Sequence, residues 1–130
     1  YISIDRSNRK RAFASLALAA ETIRGGTSVM IFPEGTRSSD GKIKGFKKGG
    51  FVLSVDAGVP IVPILLDGTF DIMPKGSLVI RRRPVTMTIY PPIETADYTR
   101  KTKDQLIEKV RRTMIAHFES TDAGREQTPC

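Results

Sequence analysis

Apolar positions along this chain change their spacing several times, and each change marks an element. Phe13, Leu16, Ala20 and Ile23 recur at three- and four-residue intervals, so they share one face of a helix that runs from a cap at Ser7 or Asn8 to Arg24, with Gly25-Gly26 as its stop. Residues 28–32 form a short, β-leaning apolar run that Pro33 ends by removing a backbone donor. Residues 50–57 read as a short helix closed by Gly58. Residues 61–66 read as a buried strand in which Pro63 has to sit at a bulge or an edge. With a strand end at the opening of the chain, the order is β-α-β-α-β, which implies right-handed crossovers and a mostly parallel sheet flanked by helices.

The second half is less regular. Residues 67–70 and 73–76 read as turns, and residues 85–90 alternate strongly enough for a half-buried strand, ended by Pro91-Pro92. Thr102 with Gln105 makes a capping box for a last helix to Phe118, with Leu106, Val110, Met114 and Phe118 on one face. A polar tail with Gly and Pro follows, so residues 1–120 are expected to form one domain portion and residues 121–130 a disordered tail.

The densest chemistry lies in Phe32-Pro33-Glu34-Gly35-Thr36-Arg37-Ser38, which places a carboxylate, a guanidinium and two hydroxyls in one tight turn after an apolar strand. Gly35 lets the chain turn sharply, and Glu34, Thr36 and Arg37 then project from the carboxyl end of the strand, where open α/β sheets place their ligands. An ordinary turn with an exposed ion pair is the alternative reading of these residues.

Composition narrows the partners. At 130 residues the chain suits one modest domain, and no apolar run approaches the roughly 18 residues of a membrane span. A single cysteine, Cys130, permits no intrachain disulfide. The net charge of +7 gathers at Arg6-Arg9-Lys10-Arg11, at Lys42-Lys44-Lys47-Lys48 and at Arg81-Arg82-Arg83, which favours phosphorylated substrates, anionic headgroups or nucleic acid. A nucleic-acid module would also need aromatic interleaving or a zinc signature. The chain has no Trp and three Tyr, so no nucleic acid is expected as partner.

Taken in order, Ile2-Ser3-Ile4-Asp5-Arg6, the Phe-Pro-Glu-Gly-Thr-Arg block, Gly45-Phe46-Lys47-Lys48-Gly49 and Gly58-Val59-Pro60-Ile61-Val62-Pro63-Ile64 resemble the glycerolipid acyltransferase family. Within it the resemblance is greatest to the 1-acylglycerol-3-phosphate acyltransferases. It implies acyl transfer from acyl-CoA or acyl carrier protein, with no other cofactor, to the free hydroxyl of a phosphorylated glycerolipid acceptor. It further implies work at an anionic membrane surface, on its cytoplasmic face. Acylation of glycerol 3-phosphate or of another lysophospholipid is the neighbouring alternative.

The family's catalytic His-x4-Asp motif lies before the Ile-Asp-Arg block, so the general-base His and its Asp are expected upstream of Tyr1. The chain accordingly reads as the carboxyl-terminal portion of a longer enzyme, inactive alone. His117 and Asp122 reproduce the spacing by chance, after the other blocks and at the end of a helix, where a His can interact with the negative end of the dipole. For a phosphorylated acceptor, Arg37 can offer a two-pronged fork to phosphate oxygens, with Arg6 and Lys47 as further cations, Gly35 giving the sharp turn, and Thr36 and Ser38 donating to phosphate or satisfying the turn. Glu34 cannot ligate phosphate while ionised; it orients Arg37 or Arg6, accepts from a substrate hydroxyl, or serves as an ion-pair partner. Lys42 and Lys44 are assigned to weak surface attraction, and the Val-Pro-Ile-Val-Pro strand would line the site.

Overall fold

The computed structural model describes residues 9–125. The elements are α1 (Arg9–Arg24), α2 (Gly49–Ala57), β1 (Ile64–Asp67), α3 (Thr69–Ile72), β2 (Thr86–Ile89) and α4 (Lys103–Arg125). The periodic stripe of α1 is its core face. Leu16, Ala19, Ala20 and Ile23 pack on Leu53, Ala57 and Val59, so α1 lies against α2 and its end. The chain leaves α2 through a Schellman turn, with the Gly58 N–H on Val55 O and the Val59 N–H on Ser54 O, both at 3.2 Å.

A second cluster joins α2 to α4. Phe51 from α2 and Leu106 and Val110 from α4 are buried with Ile93, and Phe46, Tyr98, Ile107 and Met114 close around them. Phe46 stacks on Phe51 with centroids 6.1 Å apart. The expected α4 face of Leu106, Val110 and Met114 is therefore the packed one. Next to it, Asp56 at the end of α2 accepts two bonds of 2.7 Å from the fork of Arg100, and the Arg24 guanidinium bonds the Asp56 carbonyl. The bonds from Arg100 to Asp56 hold the guanidinium pKa above its ordinary value.

β1 and β2 pair antiparallel, from Ile64 opposite Ile89 to Asp67 opposite Thr86, and Ile61 bridges Ile93 further on. Two residues separate Ile61 from Ile64 and three separate Ile89 from Ile93, so the Tyr90–Pro92 side carries one extra residue. Pro63 sits opposite this bulge, where its carbonyl accepts from Tyr90 N at 3.0 Å and its missing N–H breaks no ladder.

Five expectations differ from what the described residues show. The described residues form one antiparallel pair where a mostly parallel sheet was expected. Residues 28–32 are not in a strand and have no ladder partner among the described residues, and Met30 and Phe32 are 73% and 69% exposed. An apolar run makes a strand only when another strand pairs with it, and that partner cannot be read from the run itself. The Thr102 hydroxyl accepts from Thr99 N at 2.8 Å, while Gln105 N bonds the Thr102 carbonyl, so the capping box is not formed. The last helix continues to Arg125 because residues 119–123 contain no Gly or Pro to stop it. Residues 69–72 make a full helical turn instead of a plain one.

Candidate functional site

Residues 32–35 make a β-turn closed by Gly35 N–H on Phe32 O at 3.1 Å, with Pro33 at the second position, whose fixed φ suits such a turn. Gly35 has φ +72, so a side chain here would be strained while glycine is not. The lysine-rich loop after Asp40 folds back over this turn. Its amides make the contact: Lys47 N donates to Pro33 O at 2.7 Å, and Lys44 N donates to Glu34 Oε2 at 3.1 Å. Glu34 is thus a latch between turn and loop. Among the described residues it makes no ion pair with Arg37, and Arg6 lies outside the described residues.

The latch sets what faces outward. Thr36, Arg37 and Lys47 are exposed, and the loop bonds bring Lys47 beside the turn that carries the other two. Arg37 spends one donor, Nη1 on Met73 O at 3.2 Å, which fixes the guanidinium on one side and leaves its fork for a ligand. A hydroxyl, a guanidinium and an ammonium on one short stretch of surface offer several donors, and only the hydroxyl can also accept. They suit an anion with several oxygens.

The other lysines divide differently from expectation. Asp40 gathers the loop's start: it accepts from Ser38 Oγ at 2.9 Å and Lys42 N at 3.2 Å, and it pairs with the Lys44 ammonium. Bonds from Lys44, then Ser38 and Lys42, hold the Asp40 carboxyl far below the usual carboxylate range. Lys48 pairs with Asp104 at 3.0 Å and lowers that carboxyl too. Lys44 and Lys48 therefore pair with surface carboxylates of this chain, whereas Lys42 and Lys47 make no side-chain pair among those described. The sequence signal for this was Ser38-Ser39-Asp40-Gly41, a turn sequence whose Asp can bond its own backbone.

Two shallow clefts lie elsewhere. One, of about 210 Å³, is bordered by Ile23, Val29, Ile31, Leu53 and Val59; the other, of about 320 Å³, by Gly68, Asp71, Arg81, Arg83 and Pro84. The turn residues line neither and stand on open surface. His117 belongs to α4, an element separate from the turn, and its side chain lies outside the described ones. The proline strand reaches the core through Ile61, which packs with Phe51 and Ile93.

A family model described as Acyltransferase matches residues 1–67, the part that carries the turn and its loop. The chain belongs to the acyltransferase family. Within that family it is similar to a 1-acyl-sn-glycerol-3-phosphate acyltransferase of Limnanthes alba, 40% identical over 91% of this chain and 42% of that protein. The alpha enzyme of the same name from Homo sapiens is 34% identical over 93% of this chain and 44% of its own length. The crystal structure of the 1-acyl-sn-glycerophosphate (LPA) acyltransferase PlsC from Thermotoga maritima superposes with a TM-score of 0.77 at 32% identity, over 87% of this chain and 46% of that one. The chain thus spans less than half the length of these relatives.

Proposed function

We propose that the full-length protein transfers an acyl group to the free hydroxyl of 1-acylglycerol-3-phosphate, giving phosphatidic acid, and that the latched turn holds the acceptor's phosphate. The observation that carries this is the outward set of Thr36, Arg37 and Lys47, positioned by bonds that use none of their side-chain donors except one of Arg37. The acceptor oxygen attacks the thioester carbonyl of acyl-CoA or acyl carrier protein, the thiol leaves, and the hydroxyl proton passes to a base. By the family resemblance, that base is the His of a His-x4-Asp motif. The described residues supply the anchor, which turns a bimolecular encounter into an oriented one.

The same reading takes the remaining calls with it. No resident cofactor or metal is invoked. The apolar 28–32 run suits a place in the mostly parallel, glycerolipid-acyltransferase-like sheet. The enzyme works on a membrane's cytoplasmic face, with Lys42 as the loop's free surface cation. No helix among the described residues is long and apolar enough to cross a membrane.

The test is acyl transfer by the full-length protein, with 1-acylglycerol-3-phosphate, glycerol 3-phosphate and other lysophospholipids as competing acceptors. Phosphatidic acid should be the preferred product. Preference for glycerol 3-phosphate, or no transfer to any phosphorylated acceptor, overturns the assignment.

A further inference from the structure

Residues 73–80 leave the body of the protein as a closed-neck loop with an apolar tip. Arg81 N bonds Ile72 O at 2.8 Å across the neck, Ser77 N bonds Pro74 O at 3.0 Å inside it, and the Ser77 hydroxyl accepts from Val79 N at 3.1 Å. The tip is Leu78-Val79-Ile80, which are 97%, 64% and 74% exposed. Three adjacent aliphatic side chains held out by a bonded neck carry a cost in water that a polar loop would avoid.

Charge surrounds this tip. Arg81, Arg82 and Arg83 follow it directly, Lys75 precedes it, and all four are exposed. Arg81 and Arg83 also border the cleft of about 320 Å³ with Gly68 and Pro84, and Asp71 there is the one acidic group in its lining. The neck is tied to the candidate site, since Arg37 Nη1 bonds the carbonyl of Met73 at the loop's first residue.

We infer that this loop is a lipid-inserting finger: Leu78, Val79 and Ile80 enter the acyl region of an anionic phospholipid surface while Lys75 and Arg81 to Arg83 bind its headgroups. An apolar tip with a collar of four cations matches an interface that is apolar inside and anionic outside. Arg37 would then sit at headgroup depth. The finger stands on its own geometry and needs no assumption about acyl transfer.

The chain has no tryptophan, so Leu78→Trp installs a single reporter at the tip. The 130-residue variant is mixed with vesicles of phosphatidylcholine, with or without phosphatidylglycerol, and a second set carries bromine on the acyl chains. Blue-shifted emission and quenching by the brominated chains are expected on anionic vesicles, and little of either on neutral ones. Changing Arg81, Arg82 and Arg83 to Gln should weaken binding by about fivefold per charge removed, with the loss masked by salt. Ile80→Trp, and co-sedimentation of the unaltered chain, repeat the test without dependence on one variant. The finger is overturned if the tip reporter stays water-exposed on bound vesicles. It is overturned equally if the reporter is already buried without lipid, through the chain itself or a second copy, or if only nucleic acid is bound. Because binding and not turnover is read, either this inference or the acceptor assignment can fail without the other.

Discussion

Glu34 offers a sharp perturbation, because the structure gives it a partner that the substrate does not share. Its carboxylate holds the Lys44 amide at 3.1 Å, and with the Lys47–Pro33 backbone bond this latches the lysine loop onto the turn. Glu34→Ala removes the acceptor and leaves the amide to water. A bond to a charged acceptor contributes about 1.5 to 3 kcal/mol, and the half-exposed setting argues for the low end, about 1.5 kcal/mol. That weakens the latched state by roughly tenfold. Glu34→Gln keeps a neutral acceptor of about half the strength, so roughly threefold is expected. In the full-length enzyme the loss should fall on the KM for the acceptor, while kcat changes little, and amide exchange in residues 41–48 should rise in the same order. If Gln is as damaging as Ala with exchange unaltered, the carboxylate serves the substrate and not the loop. If neither variant alters exchange, there is no latch.

Gly68 has φ +87, and a Cβ there would collide with the Pro84 carbonyl oxygen, so Gly68→Ala should cost about 2 to 4 kcal/mol in denaturant unfolding. Gly76→Ala, at φ +89 with open space around it, should cost about 1 to 2 kcal/mol; equal losses would remove the close contact as the cause. Asp40 has a depressed folded pKa, so its contribution to the loop is fully present above the ordinary Asp value of about 3.9 and disappears as pH falls toward the folded value. A carboxyl titration by NMR should therefore find Asp40 still ionised below the ordinary Asp range, and Lys44→Met should move its midpoint up; an ordinary midpoint in the unaltered protein contradicts the pairing. Arg100→Ala leaves the mostly buried Asp56 carboxylate without its two-pronged partner, whereas Asp56→Ala leaves only an exposed guanidinium to water, so Arg100→Ala should lower the denaturant midpoint more; the reverse order would be inconsistent with that burial.

Local patterns that depend on one segment were legible. The α1 and α4 faces, the Gly58 stop and the bulge at Pro63 each follow from spacing or from a residue's own backbone limits. The turn was equally legible, because Pro33 and Gly35 dictate it. Pairings between distant segments were not: Glu34 reaches ten residues forward to an amide, Arg37 reaches a carbonyl 36 residues on, and Asp56 meets Arg100 44 residues away. A backbone amide or carbonyl has no residue type, so no pattern announces it as a partner. For the same reason Glu34 read as an ion-pair or substrate group, and Lys44 read with Lys42 as a surface cation, until the fold paired Lys44 with Asp40 and Lys48 with Asp104.

The central claim is that the turn grips a phosphate, and the direct measurement is the ratio of kcat/KM for 1-acylglycerol-3-phosphate to that for the unphosphorylated 1-acylglycerol in full-length enzyme. A two-pronged contact from Arg37 contributes about 1.5 to 3 kcal/mol, so Arg37→Ala should lower this ratio by roughly tenfold to more than a hundredfold. Arg37→Lys should do nearly the same, since an ammonium keeps the charge and loses the fork. A ratio unchanged by Arg37→Ala in a folded enzyme would contradict the account.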